Sequence, residues 1–419
     1  VLAYTVLDPH PDNSSGAQNG VTFRTGLAAG GNVSNLNVYG NWRLDEADSS
    51  ITSLSALQNI ANATVGSTYV GSLTFANWQI ETAATTFALD QAISIGSGTL
   101  ALSSNGAVTQ TSSLAAGSLW LGGTGNFSLT NAGNQIGTVA ANAGSVNLVD
   151  LGGLTIGGVA SARGVTTTGA NTTGQVQLRT SGDLTIAASA TVSGANPVLA
   201  AGGKFINSRG SDAVTATSGR WLVYAAAPTG NTFGNLNSGN TAVWNTAAGA
   251  TVSVSGNRYV FAYQPTLTFT SQNASKVYGD TAMPTLTYTV SGYQAGVANA
   301  YLGDSAATAF SGAPSLSPPL TLATQQLGAG TYTITVGAGD IAALTGYGLA
   351  FNSAGLFTVA KRAVTVTADP GQQKTYGDAD PAASTYTVSD LGNGVALAGS
   401  LNRDAGEDAG AYAIGQGTL

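Results

Sequence analysis

Asp150, Asp183 and Asp212 are the carboxylates in the middle of this chain that could act as general acid and base. Polysaccharide cleavage needs two carboxyl groups close together, often with Lys or Arg beside them in one groove. These three are thinly spread and read as unaccompanied. Each is therefore expected in a turn, where an Asp side chain accepts hydrogen bonds from nearby backbone N–H groups. His10 is the single histidine, in a polar start flanked by proline, which excludes an intrachain two-His metal site and leaves no Ser-His-Asp arrangement. Asp45-Glu46-Ala47-Asp48 and the trio Asp404, Glu407 and Asp408 carry enough negative charge for calcium. Neither has the spacing of an EF-hand or a glycine-rich nonapeptide, so both read as solvated acidic loops. No catalytic, cofactor-binding or metal-ligating residue is assigned, and the chain reads as non-enzymatic.

Tyr278-Gly279-Asp280 and Tyr376-Gly377-Asp378 are the remaining candidates, 98 residues apart. Glycine permits close approach of a ligand and Asp accepts hydrogen bonds. The candidate contacts are therefore Tyr278, Asp280, Tyr376 and Asp378, with Tyr288 and Tyr386 from the segment after each motif. The structural reading stands beside it: Tyr packs, Gly takes a positive φ and Asp closes a turn between strands. Tyr288, Tyr293 and Tyr347, read as exposed, could stack on sugars or form cross-strand pairs.

The elements that must position these residues are strands. Charged residues are 8% of 419 against about 25% in ordinary domains, while 57 residues are Gly and 43% are hydrophobic. A chain this apolar with a net charge of −7 should fold. Its 13 Lys and Arg form no basic stripe, which excludes nucleic acid as a partner. No cysteine is present, so neither disulfides nor thiolate metal sites contribute, and no apolar run is long enough for a membrane helix. The start, Val1-Leu2-Ala3-Tyr4, lacks an initiator Met and a signal pattern. Both ends are expected to be fragment boundaries of a longer protein.

Gly-x-Φ-x-Φ, with Φ apolar, recurs at Gly98, Gly117, Gly125, Gly144 and Gly174, several starts lying 19 residues apart and the last 30. Period-two alternation puts each apolar pair on one strand face, and Gly is read as the corner where the backbone turns tightly. Strands this short bury their apolar face only by stacking on neighbouring units. The expectation is an all-β chain: a right-handed parallel β-helix followed by small β-sandwich-like or β-grasp-like repeat domains. Ile51, Leu54, Leu57 and Ile60 behind Ser50 predict one short helix. The boundaries are 1–70 for an N-terminal segment with that excursion, 71–218 for the coils, and 219–265 for an aromatic cap. Residues 266–360 make a first small β domain and 361–419 a second, truncated one.

Lys276-Val277-Tyr278-Gly279-Asp280 with Thr287-Tyr288-Thr289-Val290-Ser291, and Lys374-Thr375-Tyr376-Gly377-Asp378 with Thr385-Tyr386-Thr387-Val388-Ser389, resemble the MBG-type β domains of large bacterial surface proteins. Gly406-Glu407, Gly410, Tyr412 and Ile414 strengthen the likeness; the first copy keeps Gly328-Ala329-Gly330-Thr331-Tyr332-Thr333-Ile334 and has an insert near Ser315 to Thr324. The coil motif and Gly219-Arg220-Trp221-Leu222-Val223-Tyr224 resemble filamentous hemagglutinin-like exoproteins. That resemblance implies two-partner secretion through an outer-membrane transporter, an extracellular place on the cell surface of a Gram-negative bacterium, and adhesion to glycans or cells or a part in biofilm. Its secretion-recognition domain is not recognisable in 1–70. The alternatives are a ligand-capture protein for heme or a host protein, with specificity in an excursion from Arg43 to Thr68, and a polysaccharide-active enzyme.

Overall fold

The computed structural model describes residues 20–24, 41–46, 52–55, 77–82, 84–159, 162–168, 175–317, 327–392 and 396–419. The chain is almost entirely strand, as the alternation requires, and forms two compact units.

The first unit is a parallel β-helix in which three ladders of strands run through successive coils. One ladder joins Asn77–Thr82, Thr99–Ser104, Leu114–Gly122 and Gln135–Ala143, and continues through Ala162–Thr167 and Thr191–Ala201. A second joins Thr86–Leu89, Ala107–Gln110, Asn126–Leu129, Ser145–Asp150 and Gln175–Thr180. The third is built of short pieces, including Leu154–Ile156, Leu184–Ile186 and Phe205–Asn207. Parallel pairing also includes Gly20–Arg24 and Asn41–Glu46 near the start, and runs through Leu222–Ala225 to Arg258–Phe261. Of the expected helix, Leu54 and Ser55 are helical, whereas Thr52 is not and Ser53 forms a parallel bridge with Ala88; the rest lies outside the described residues, as do His10, Asp48 and Gly174.

Register follows from the alternation, because a one-residue slip would turn every apolar side chain to water. Val108, Phe127, Val146 and Val176 stack at one inward position, and Leu129, Leu148, Leu178 and Leu199 at the next. All eight are at most 1% exposed. Each such side chain contributes about 1.5–3 kcal/mol by burial.

The glycines of the coil motif do something other than the expected tight turn. Gly117, Gly125 and Gly144 have no positive φ. A Cβ on Gly125 would lie 2.1 Å from the carbonyl oxygen of Gly106, and one on Gly144 2.3 Å from that of Thr124. Coils stack there backbone on backbone, and only a residue without Cβ leaves room.

The second unit takes in 266–292, 310–342 and 349–419, whereas 293–309 and 343–348 belong to the first. It consists of small sheets. Thr266–Ser271 pairs with Tyr288–Ser291 on one side and Gly348–Asn352 on the other, and Leu356–Ala360 lies between Ala274–Val277 and Gly330–Thr333. The second copy repeats the first hairpin in the same register, Thr270 opposite Thr289 becoming Thr367 opposite Thr387.

Candidate functional site

In the coils, Asp150, Asp183 and Asn134 bind backbone groups. Asp150 is 2% exposed; Oδ1 accepts from the Ile136 N–H at 2.7 Å, and Oδ2 accepts from the Gly152 N–H at 2.8 Å and the Thr180 hydroxyl at 3.2 Å. Asp183 accepts from the Lys204 N–H of the next coil at 2.8 Å. Asp212 is not unaccompanied: its carboxylate is ion-paired with Arg209, three residues earlier, which holds it below the usual carboxylate range. Sequence reading missed that pair although both partners stand in one short loop. Buried Asn134 closes another corner, accepting from the Leu114 N–H at 2.9 Å and donating to the carbonyls of Leu129 and Val149.

The two Tyr-Gly-Asp motifs form the same turn. Gly279 and Gly377 have φ of 83° and 87°, a left-handed conformation that favours glycine. The Asp280 N–H donates to the Val277 carbonyl and the Asp378 N–H to the Thr375 carbonyl, both at 3.1 Å. Lys276 Nζ reaches the Asp280 carbonyl at 3.0 Å, and Lys374 Nζ the Asp378 carbonyl at 3.2 Å. Further on, the Tyr332 hydroxyl donates to the Gly328 carbonyl at 2.9 Å and the Tyr412 hydroxyl to the Asp408 carbonyl at 2.8 Å. These repeated contacts are conformational: they close loops by hydrogen bonds from lysine, tyrosine and backbone.

The six candidate contacts fall in different surroundings. Asp280 meets the guanidinium of Arg362, which also donates to the Tyr278 carbonyl at 2.8 Å and to Asp390 of the second copy at 2.8 Å. Arg362, which sequence reading did not single out, thus ties the first copy's turn to the second copy, and Asp280 is engaged by it. Half-buried Tyr278 packs against the buried cluster of Leu327, Ile334, Phe357 and Val359. Tyr288 stands in another sheet, its ring tilted against Phe269 at 6.0 Å. Tyr386 is half-buried in the strand Tyr386–Val388, opposite Ala368. Asp378 is exposed, and Tyr376 is 75% exposed.

Glu407 of the acidic trio is paired with Lys374 and Arg403, each at 2.8 Å, and Asp380 joins the same two cations at 2.8 and 2.9 Å. Hydrogen bonds from Lys374 hold both carboxyls below their usual range. Glu407 is therefore already neutralised by side chains. Among the described residues no group of three or more His, Asp or Glu is placed to hold a metal ion, and no helix is long and apolar enough to cross a membrane.

Tyr347 is not an exposed sugar-stacking residue: it is 4% exposed in the first unit, and Tyr293 is half-buried. The Tyr347 hydroxyl donates to Asp304 Oδ2 at 2.7 Å, and Trp244 Nε1–H donates to the same oxygen at 2.9 Å. Asp304 Oδ1 is buried with no partner in hydrogen-bond geometry. Burial pushes the Asp304 carboxyl above the usual carboxylate range against the pull of those two donors. Trp244 stacks on Phe261 at 5.3 Å, and Tyr301 meets Tyr259, Phe261 and Phe233 at 5.6–5.8 Å. The aromatic segment was legible in the sequence. The return of 293–309 and 343–348 to it was not.

Residues 364–419 match the family model described as the MBG domain (YGX type). The matched span holds the turn Tyr376-Gly377-Asp378 and the tethered Tyr412. No curated protein and no solved structure matches the chain.

Proposed function

We propose that this chain forms a stalk and Tyr-Gly-Asp modules of a secreted bacterial surface adhesin or biofilm-matrix protein, with no catalytic activity. The parallel coils act as a stiff stalk, and the Tyr-Gly-Asp modules extend it or contact glycans and neighbouring cells. The observation that carries the reading is the match of 364–419 to an MBG domain, a kind of extracellular repeat module, in a chain that also builds stacked parallel coils. The satisfaction of Asp150, Asp183 and Asn134 by backbone groups supports a scaffold role for the coils. The finer reading, a filamentous hemagglutinin-like exoprotein exported through an outer-membrane two-partner transporter, rests on the coil motif and the junction at Gly219 to Tyr224.

The test is attachment. Beads coated with the 419-residue chain should bind bacterial cells or glycan-coated surfaces more than beads coated with an unrelated protein, and acidic polysaccharides incubated with the chain should keep their length. Depolymerisation that disappears in Asp183→Ala would reverse the reading in favour of an enzyme. Tight uptake of one soluble ligand such as heme, without attachment, would reverse it in favour of capture.

A further inference from the structure

Alternation in the strand Leu114–Gly122 turns Leu119 and Leu121 into the core and Trp120, between them, outward. Trp221 and Trp244 are at most 3% exposed, whereas Trp120 is half-buried. Its indole lies on Gly122, the next residue along the same outer face. A Cβ on Gly122 would fall 2.0–2.6 Å from Cη2, Cζ2 and Cζ3, and such similar distances to three adjacent ring atoms put the ring's face, not its edge, over the strand. Ala101 and Ala140, paired with Trp120 in the adjoining coils, bring only methyl groups alongside it. The indole N–H makes no hydrogen bond among the described residues.

Gly122 belongs to a row of outward positions that runs through successive coils: Ser103, Gly122, Asn142, Thr166, Ser193 and Thr215. Parallel pairing repeats the row about every 4.8 Å. Its side chains are hydroxyls and one amide, uncharged and all at least partly exposed. Among the described residues none of these side chains makes a hydrogen bond, in contrast to Asn134, Asp150 and Asp183, which serve the backbone. The indole lies in the gap that Gly122 leaves in the row. An aromatic plane is thus set into a straight track of unpaired donors and acceptors.

We propose that this face of the coils binds an extended oligosaccharide of neutral pyranoses, running along the row with one sugar ring stacked on Trp120. The inference rests on the reading of the chain as a glycan-contacting adhesin, and places a contact on the stalk itself. A pyranose presents a face of C–H groups and a rim of hydroxyls. The indole suits the first, because an aromatic face is apolar and electron-rich. The hydroxyls of Ser103, Thr166, Ser193 and Thr215 and the amide of Asn142 suit the second, because each both donates and accepts. The occupant is neutral because no charged side chain stands in the row to pair with a carboxylate or an ammonium group. A track that repeats at each coil fits a polymer that also repeats.

The probes are cellohexaose and N-acetylated chitohexaose, each titrated into the 419-residue chain by calorimetry. Expected is saturable binding of at least one, with a Kd below about 1 mM. Trp120→Ala should weaken it about tenfold or more. Asn142→Asp, which keeps the size of an exposed side chain and removes its N–H donors, should weaken it about threefold or more. Asn147→Asp, outward on the other ladder, should leave it unchanged. Should Trp120→Ala unfold the coils, Asn142→Asp carries the test alone. No saturation by either probe, binding unchanged in the folded variants, or an equal loss in Asn147→Asp overturns the proposal. Coated beads that attach to cells when neither probe saturates overturn this site alone and leave the adhesin reading standing. Probe binding lost in Trp120→Ala, with no attachment of beads, upholds the site and overturns that reading.

Discussion

Leu148→Ala should destabilise the coils strongly, and Asn147→Ala, one residue away, should not. Leu148 lies between Leu129 and Leu178 of the adjoining coils, and all three are fully buried. Truncation removes three carbons, roughly 2.5 kcal/mol of transfer free energy at about 0.8 kcal/mol per methylene. The strand is hydrogen-bonded to a parallel neighbour on each side, so the coils cannot close over the space, and a cavity term adds to the loss. The expected total is about 3–5 kcal/mol. Asn147 stands opposite Ser128 and Gln177 on the outward face, and its truncation should change stability by no more than about 0.5 kcal/mol. Stacked coils need not unfold in one step, so the assay is native-state hydrogen exchange over Asn126–Leu129, Ser145–Asp150 and Gln175–Thr180, with thermal unfolding beside it. Equal costs for the two variants would refute both the register and the inward stacking of alternate residues.

Asp304 has its carboxyl pKa raised by burial, so the folded form holds its proton more tightly than the unfolded chain does. Its stabilising contribution is full below the ordinary value of 3.8 and is lost as pH rises through the raised value. Asp304→Asn should flatten this part of the pH dependence of thermal unfolding; an unchanged profile contradicts the assignment. Arg362→Ala removes the contacts to Tyr278, Asp280 and Asp390. With Asp390 largely exposed, the stability cost should stay near 1 kcal/mol or below, while NMR relaxation should report greater independent motion of the two copies. Lys374→Ala should raise the carboxyl pKa values of Asp380 and Glu407 toward their ordinary range, read by carbon-detected NMR titration, because hydrogen bonds from Lys374 are the first cause of their depression.

Local pattern determined a large share of this structure. Alternation in Ser145–Asp150 and Gln175–Thr180 places Val146 beside Val176 and Leu148 beside Leu178, because period two and a buried face leave one register. The repeated Tyr-Gly-Asp turn was legible for the same reason: a positive φ at Gly279 and Gly377, and the hydrogen bonds that close the turn, depend on residues within a few positions of each other. The glycine of the coil motif was legible as a requirement but not in its cause, since the carbonyl that excludes a Cβ at Gly125 comes from Gly106 of the previous coil.

Tertiary structure alone decided the contacts between residues far apart in the chain. Nothing local in Asp304 announces Trp244 or Tyr347, 60 and 43 residues away, and its raised pKa exists only because folding removes water from all three. Likewise Tyr278 packs against a buried cluster that includes Phe357 and Val359, residues far from it in the chain. The turn is local chemistry. Whether its tyrosine is covered depends on a strand that begins 78 residues after Tyr278, and only the folded sheet brings that strand to the turn.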